Sequence, residues 1–115
     1  MNLAPIVLFV YNRPLHTEKT LQSLKQNPLA KDSILYIYAD GPKDNANNET
    51  VEQIKAVRSI IHSEAWCKEV IINESDFNNG LAASIRKGVN EVIEKHGKVI
   101  VLEDDLICSK AFLNY

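Results

Sequence analysis

Lys98-Val99-Ile100-Val101-Leu102-Glu103-Asp104-Asp105 is an apolar run that leads directly into three carboxylates. Val99 to Leu102 follow Gly97, a residue that closes helices, and read as a strand buried on both faces of a sheet. Acids at the end of such a strand are costly unless something neutralises them. Side chains alternate along an extended chain, so Glu103 and Asp105 are expected on one face and Asp104 on the other. Three oxygen ligands of this kind suit a hard divalent cation whose remaining positions are filled by phosphate or water. The competing interpretation is a solvated acidic turn ahead of a helix, whose N-terminus attracts carboxylates.

Outward from this strand the chain alternates between two periodicities. Residues 81–96 carry Leu81, Ile85, Val89, Val92 and Ile93 at helical spacing, with Gly97 as the stop. A polar loop over residues 73–79 precedes that helix, with Asn78-Asn79-Gly80 as its tightest bend, and Val70-Ile71-Ile72 before it is a short strand. Residues 49–63 form the clearest amphipathic helix, with Val51, Ile54, Val57, Ile60 and Ile61 on one side. Ahead of it, residues 33–39 are a strand ending on Asp40-Gly41-Pro42, followed by a polar loop over residues 43–48. At the start, the buried-type run of residues 6–11 is broken by Asn12-Arg13-Pro14. A helix from Leu15 to about Gln26 follows, with Leu21 and Leu24 inward and an end before Pro28.

Strand and helix alternate throughout, which predicts an α/β fold: a three-layer sandwich, Rossmann-like, with a mostly parallel sheet and helices on both faces. With the first strand central, the second and third extend to one side and the acidic strand docks on the other. Ligands of such sheets bind beyond the carboxyl ends of the strands where the order reverses. Asn12 and Arg13 would then face Glu103, Asp104 and Asp105 across that reversal.

The chain has 115 residues and a formal net charge of −2, so it holds one domain and has no basic stripe for nucleic acid. Its apolar runs are too short to cross a bilayer, and the N-terminus lacks the pattern of a secretory signal. Cys67 and Cys108 belong to no metal-spaced pair, and a reducing compartment is expected. His16, His62 and His96 are dispersed and read as surface residues. Residues 109–115 resemble the first turn of a further helix, so the chain is expected to be the first part of a longer protein.

Several nucleotide chemistries are excluded. Only Gly41, Gly80, Gly88 and Gly97 are available, so neither a dinucleotide-binding glycine loop nor a P-loop can be built. No serine or cysteine stands in a nucleophile elbow. A response-regulator domain would need acids after the first strand, where this chain has Tyr11-Asn12-Arg13. What remains is a metal ion bridging a diphosphate, with acids holding the ion and Arg13 set against phosphate charge.

Four motifs in order carry a resemblance: Val10-Tyr11-Asn12-Arg13-Pro14, Ala39-Asp40-Gly41, Asn78-x-Gly80 opening a helix, and Val101-Leu102-Glu103-Asp104-Asp105. Together they resemble the nucleotide-sugar half of a GT-A glycosyltransferase, nearest to glycosyltransferase family 2 and family-2-like enzymes. The Glu-Asp-Asp variant is also similar to the N-acetylglucosaminyltransferase I type. The resemblance spans essentially the whole chain and implies transfer of a sugar from a nucleoside diphosphate sugar, UDP-sugar favoured, to a saccharide or other hydroxyl acceptor. It implies Mn²⁺ or Mg²⁺ held by Asp105, with Asp104 and Glu103 against the donor's ribose and sugar or the metal's shell. It further implies Asp40 accepting a hydrogen bond from the uracil ring, Tyr11 lining the base, and Asn12 and Arg13 beside base and phosphates. A general base is expected beyond Tyr115, and the expected location is cytoplasmic, with peripheral membrane attachment through further segments as a variant.

The chain departs from that pattern in three places. It has Ala39-Asp40 where two adjacent acids are common, and Phe9 where a small polar residue is common. Ser84-Ile85-Arg86 shifts a helix arginine by one position, about 100° around the helix. Two rivals remain: a nucleotidyltransferase of related fold, which would need a glycine-rich basic loop after the first strand, and a non-catalytic nucleotide-binding module.

Overall fold

A computed structural model of the protein describes residues 4–103. Within them the elements are β1 (Ile6–Val10), α1 (Pro14–Gln26), β2 (Ile34–Ala39), α2 (Asn48–Ile61), β3 (Glu69–Glu74), α3 (Leu81–His96) and β4 (Ile100–Glu103). A short 3₁₀ turn, Ala30–Asp32, precedes β2. Every strand pairing is parallel and the sheet order is β3-β2-β1-β4. The α/β alternation and the reversal of order between β1 and β4 are therefore as the sequence predicts. Asp104, Asp105, Cys108 and the expected helix start at residues 109–115 lie outside the described residues.

The register follows from which residues must leave water. Val10 lies opposite Ala39, and Phe9 lies between Tyr38 on one side and Glu103 on the other. All of β1 is buried, and alternation divides it between two clusters. Ile6, Leu8 and Val10 pack with Leu21 and Leu24 of α1 and Val57 and Ile61 of α2. Val7 and Phe9 pack with Tyr36, Tyr38 and Val92 of α3. Each such side chain contributes about 1.5–3 kcal/mol on leaving water, so β1 cannot slip by one residue without exchanging its two partners. Trp66, which no periodicity singled out, is buried in the first cluster, and its indole N–H donates to the carbonyl of Ile61 at 3.2 Å.

Helix ends follow local chemistry. Pro14 opens α1 where its missing N–H costs nothing, and Asn47 caps α2 by accepting from the Thr50 N–H at 2.8 Å. That cap starts α2 one residue before the expected position, and the helix ends at Ile61 rather than at residue 63. Gly97 takes the left-handed conformation that closes α3. No helix among the described residues is long and apolar enough to cross a membrane.

Three expectations need correction. β3 extends through Asn73 and Glu74, residues that read as loop, because a parallel ladder needs only their backbone. The expected stripe on α3 is displaced: Val92 is buried and Ile85 and Val89 pack against it, but Leu81 is 59% exposed and Ile93 42%. Ile93 lies about 100° around the helix from Val92, and Leu81 is its first residue, beyond the sheet. The third is β4: Leu102 is buried, but Val101 is 38% exposed, so the strand is not covered on both faces. β4 has a neighbour on one side only among the described residues, and α3 sits over Phe9 and Tyr38 instead.

Gly88 is why α3 can sit there. A Cβ built on it would lie 2.9 Å from Cε1 of Phe9 and 3.0 Å from Cε2 of Tyr38, two rings stacked with centroids 5.5 Å apart. Gly88→Ala should therefore destabilise by about 1–2 kcal/mol, overpacking outweighing the ~1 kcal/mol gain in helix propensity. Urea unfolding should show a lower midpoint with an unchanged slope; a raised midpoint would mean that the helix does not press on those rings.

Tyr38 supplies a second prediction. Burial, reinforced by the Glu91 carboxylate 3.5 Å away, pushes its hydroxyl from 10.0 up to about 12. A pKa raised on folding means that the unfolded chain releases this proton first. The associated stability is complete below pH ~10 and is lost as the pH rises toward 12. Tyrosinate absorbance should show one late-titrating hydroxyl in the native protein, which Tyr38→Phe removes.

Candidate functional site

At the carboxyl ends of β1 and β2 the structure has a cleft of about 480 Å³. It forms where these two strands end side by side and the loop before α3, with the first turn of that helix, completes the lining. After Val10 the chain enters Tyr11-Asn12-Arg13 before Pro14 opens α1; after Ala39 it turns through Asp40-Gly41. Tyr11, Asn12, Arg13 and Asp40 all line the cleft, so the structure brings together four of the expected nucleotide contacts. Glu103 closes β4 beside Phe9, next to the point where β1 enters the cleft. The remaining two acids of that motif, Asp104 and Asp105, fall outside the described residues. Among the described residues no group of three histidine, cysteine or acidic side chains can hold a metal.

The cleft wall is built on Asp40. Its Oδ1 accepts from the backbone N–H of Gly41 at 3.0 Å and of Asn79 at 2.9 Å, and from Nδ2 of Asn79 at 3.4 Å. Its Oδ2 accepts from the Gly80 N–H at 3.1 Å and from Nδ2 of Asn78 at 3.2 Å. A carboxylate has about four lone-pair positions, so these bonds use its accepting capacity. Gly80 caps α3 with no side chain of its own, and Asp40 supplies the negative charge that this helix end favours.

Two further contacts hold the same loops together. Arg58 reaches from α2 and donates through Nη2 to the carbonyls of Ser75 at 2.6 Å and Asp40 at 3.4 Å. Gly41 approaches the loop after β3 so closely that a Cβ would lie 2.6 Å from the Phe77 nitrogen and 2.6 Å from the Ser75 oxygen. Both are backbone atoms, so only glycine fits there.

One flank of the cleft is apolar. Phe9, stacked on Tyr38, and the exposed Leu81 line it. The lining also carries two cations, Arg13 and Lys43. Lys43, Asn78, Leu81 and Ser84 were not expected in the lining. Asn78-x-Gly80 was visible as a motif, but its link to Asp40 spans 38 residues and leaves no local signal. Arg86 is exposed and does not line the cleft, whereas Ser84 does. His96 is not a bare surface residue: its Nε2 lies 2.8 Å from the Tyr36 hydroxyl, away from the cleft. Aromatic and apolar side chains, two cations and a fixed polar wall in one lining can hold a flat ring attached to an anionic group.

The chain matches no protein-family model and no curated protein.

If Asp40 holds the wall, its removal should loosen residues 78–80 before it unfolds the sheet. Asp40→Ala should speed amide exchange at Asn79 and Gly80 by tenfold or more and cost about 2 kcal/mol globally. Gly41→Ala should produce the same local loosening by steric displacement. Protection at Asn79 and Gly80 that falls only in step with β1 would show that the wall does not depend on this carboxylate.

Proposed function

We propose that the cleft binds a nucleoside diphosphate sugar, a UDP-sugar by preference, and that the protein is the donor-binding part of a three-layer GT-A glycosyltransferase. The supporting observation is that Tyr11, Asn12, Arg13 and Asp40 line one cleft at the carboxyl ends of β1 and β2, beside the end of β4. These are the positions that the motif resemblance assigns to the donor nucleotide.

In this proposal the base lies against Tyr11 and the Phe9–Tyr38 pair, where a flat ring replaces water over apolar surface. Arg13 and Lys43 face the diphosphate, Arg13 with the planar fork that matches phosphate oxygens. Asp40 belongs to the site as the group that keeps Asn78, Asn79 and Gly80 in place. Glu103-Asp104-Asp105 offers only carboxylate oxygens, the ligand type that Mn²⁺ and Mg²⁺ take, with Asp105 as the direct ligand. Such a cation supplies Lewis-acid stabilisation of the departing diphosphate. Transfer to a saccharide or other hydroxyl, and a cytoplasmic location, belong to the same proposal.

The test is thermal unfolding of the full chain with nucleotide and metal. Uridine diphosphate and Mn²⁺ at about a hundred times the dissociation constant should stabilise by about 2.7 kcal/mol, raising Tm by several degrees. The nucleotide with chelator should do much less. Asp105→Asn should lose the metal-dependent part and leave the unliganded protein as stable as before or slightly more so, since repulsion among three acids is relieved. No shift with any nucleoside diphosphate in the presence of Mn²⁺ would overturn the proposal.

A further inference from the structure

Asp40 cannot both hold the cleft wall and read a ligand. Gly41, Asn79 and Gly80 give it three backbone N–H groups, and Asn78 and Asn79 add side-chain donors. A ligand N–H arriving at this carboxylate would have to compete with five donors already in place, and displacing the Asn79 or Gly80 N–H would cost a backbone hydrogen bond.

The neighbouring amide has the opposite balance. Nδ2 of Asn78 donates to Oδ2 of Asp40 at 3.2 Å and to the carbonyl of Gly41 at 3.1 Å. Both partners are acceptors, so the nitrogen of this amide must face them; a flipped amide would set oxygen against oxygen. Two bonds from one planar group also fix its plane. Oδ1 of Asn78 accepts from no described residue, and Asn78 lines the cleft. The side chain therefore brings one uncommitted acceptor, held rigid by Asp40 and Gly41, to a wall otherwise occupied by satisfied groups. Ser84 lines the same cleft one turn into α3 and carries a hydroxyl able to donate.

We infer that Asn78, not Asp40, reads the base: its Oδ1 accepts the ring N–H of the nucleotide, and Asp40 is the positioning residue that orients the amide. This rests on the nucleotide-binding proposal above. A uracil ring presents one N–H donor, which matches one uncommitted acceptor in the wall, and Ser84 in the same lining carries a hydroxyl that can donate to a ring carbonyl.

The experiment compares binding of uridine diphosphate and its N3-methyl analogue, which lacks that proton, to the full chain with Mn²⁺. The native protein should prefer uridine diphosphate by at least about tenfold, the worth of one well-formed hydrogen bond to a rigid acceptor. Asn78→Ala should bring the two affinities within about threefold of each other, by weakening uridine diphosphate far more than the analogue. A merely structural Asn78 would lower both affinities equally and keep the preference, which would overturn the inference. Should Asn78→Ala fail to fold, the side-chain amide resonances of Asn78 in the native protein decide. Uridine diphosphate should move them and the N3-methyl analogue should not; equal movement by both overturns the inference. Equal affinity of the native protein for both ligands overturns it while leaving the nucleotide proposal standing. Binding of neither overturns the nucleotide proposal and this inference with it.

Discussion

The Asp40 carboxylate joins parts of the chain that packing alone would leave apart. It stands at the end of β2, and its partners Asn78, Asn79 and Gly80 precede the first residue of α3. The hydrophobic clusters fix where β2 and α3 lie, but neither reaches the loops between them. A charged acceptor among backbone N–H groups is worth more than neutral pairs, and it relieves the unpaired donors at a helix start. The wall of the cleft is therefore held by polar bonds on an apolar scaffold. The same arrangement explains why a loop rich in asparagine and glycine is ordered enough to present a fixed surface.

The scaffold supplies position and the loops supply chemistry. The order of the parallel sheet reverses between β1 and β4, and ligands of such sheets bind beyond the carboxyl edge near the reversal. Gly88 lets α3 settle onto Phe9 and Tyr38, which brings Gly80, Leu81 and Ser84 over the end of β1. The ring pair beneath Gly88 thus serves as both core and cleft lining, so changes made for packing are transmitted to the site.

The charges around the cleft are separated by function. The acid in its wall is consumed by internal donors, whereas Arg13 and Lys43 line it as cations. The cleft consequently favours an anion even though the protein as a whole carries a slight negative charge of −2. Glu103 ends β4 beside Phe9, next to the same opening.

The alternation of elements and the parallel sheet were legible in the sequence because they depend on short-range patterns. Apolar runs such as Ile6–Val10, the helical spacing of Ile54, Val57 and Ile61, and the stops at Pro14 and Gly97 each act within a few residues. Asn12 and Arg13 could be placed at the reversal because strand ends in this topology converge, whereas Tyr11 and Asp40 were named by the motif resemblance alone. Tertiary structure alone decided which face of α3 is buried, since Gly88 carries no apolar side chain and yet lies against the rings of Phe9 and Tyr38. It alone exposed Val101, because coverage of an edge strand depends on where a helix lands. It also decided what Asp40 does. A carboxylate before Gly-Pro looks the same whether it is empty or saturated, and only the arrival of residues 78–80 from across the fold fills it.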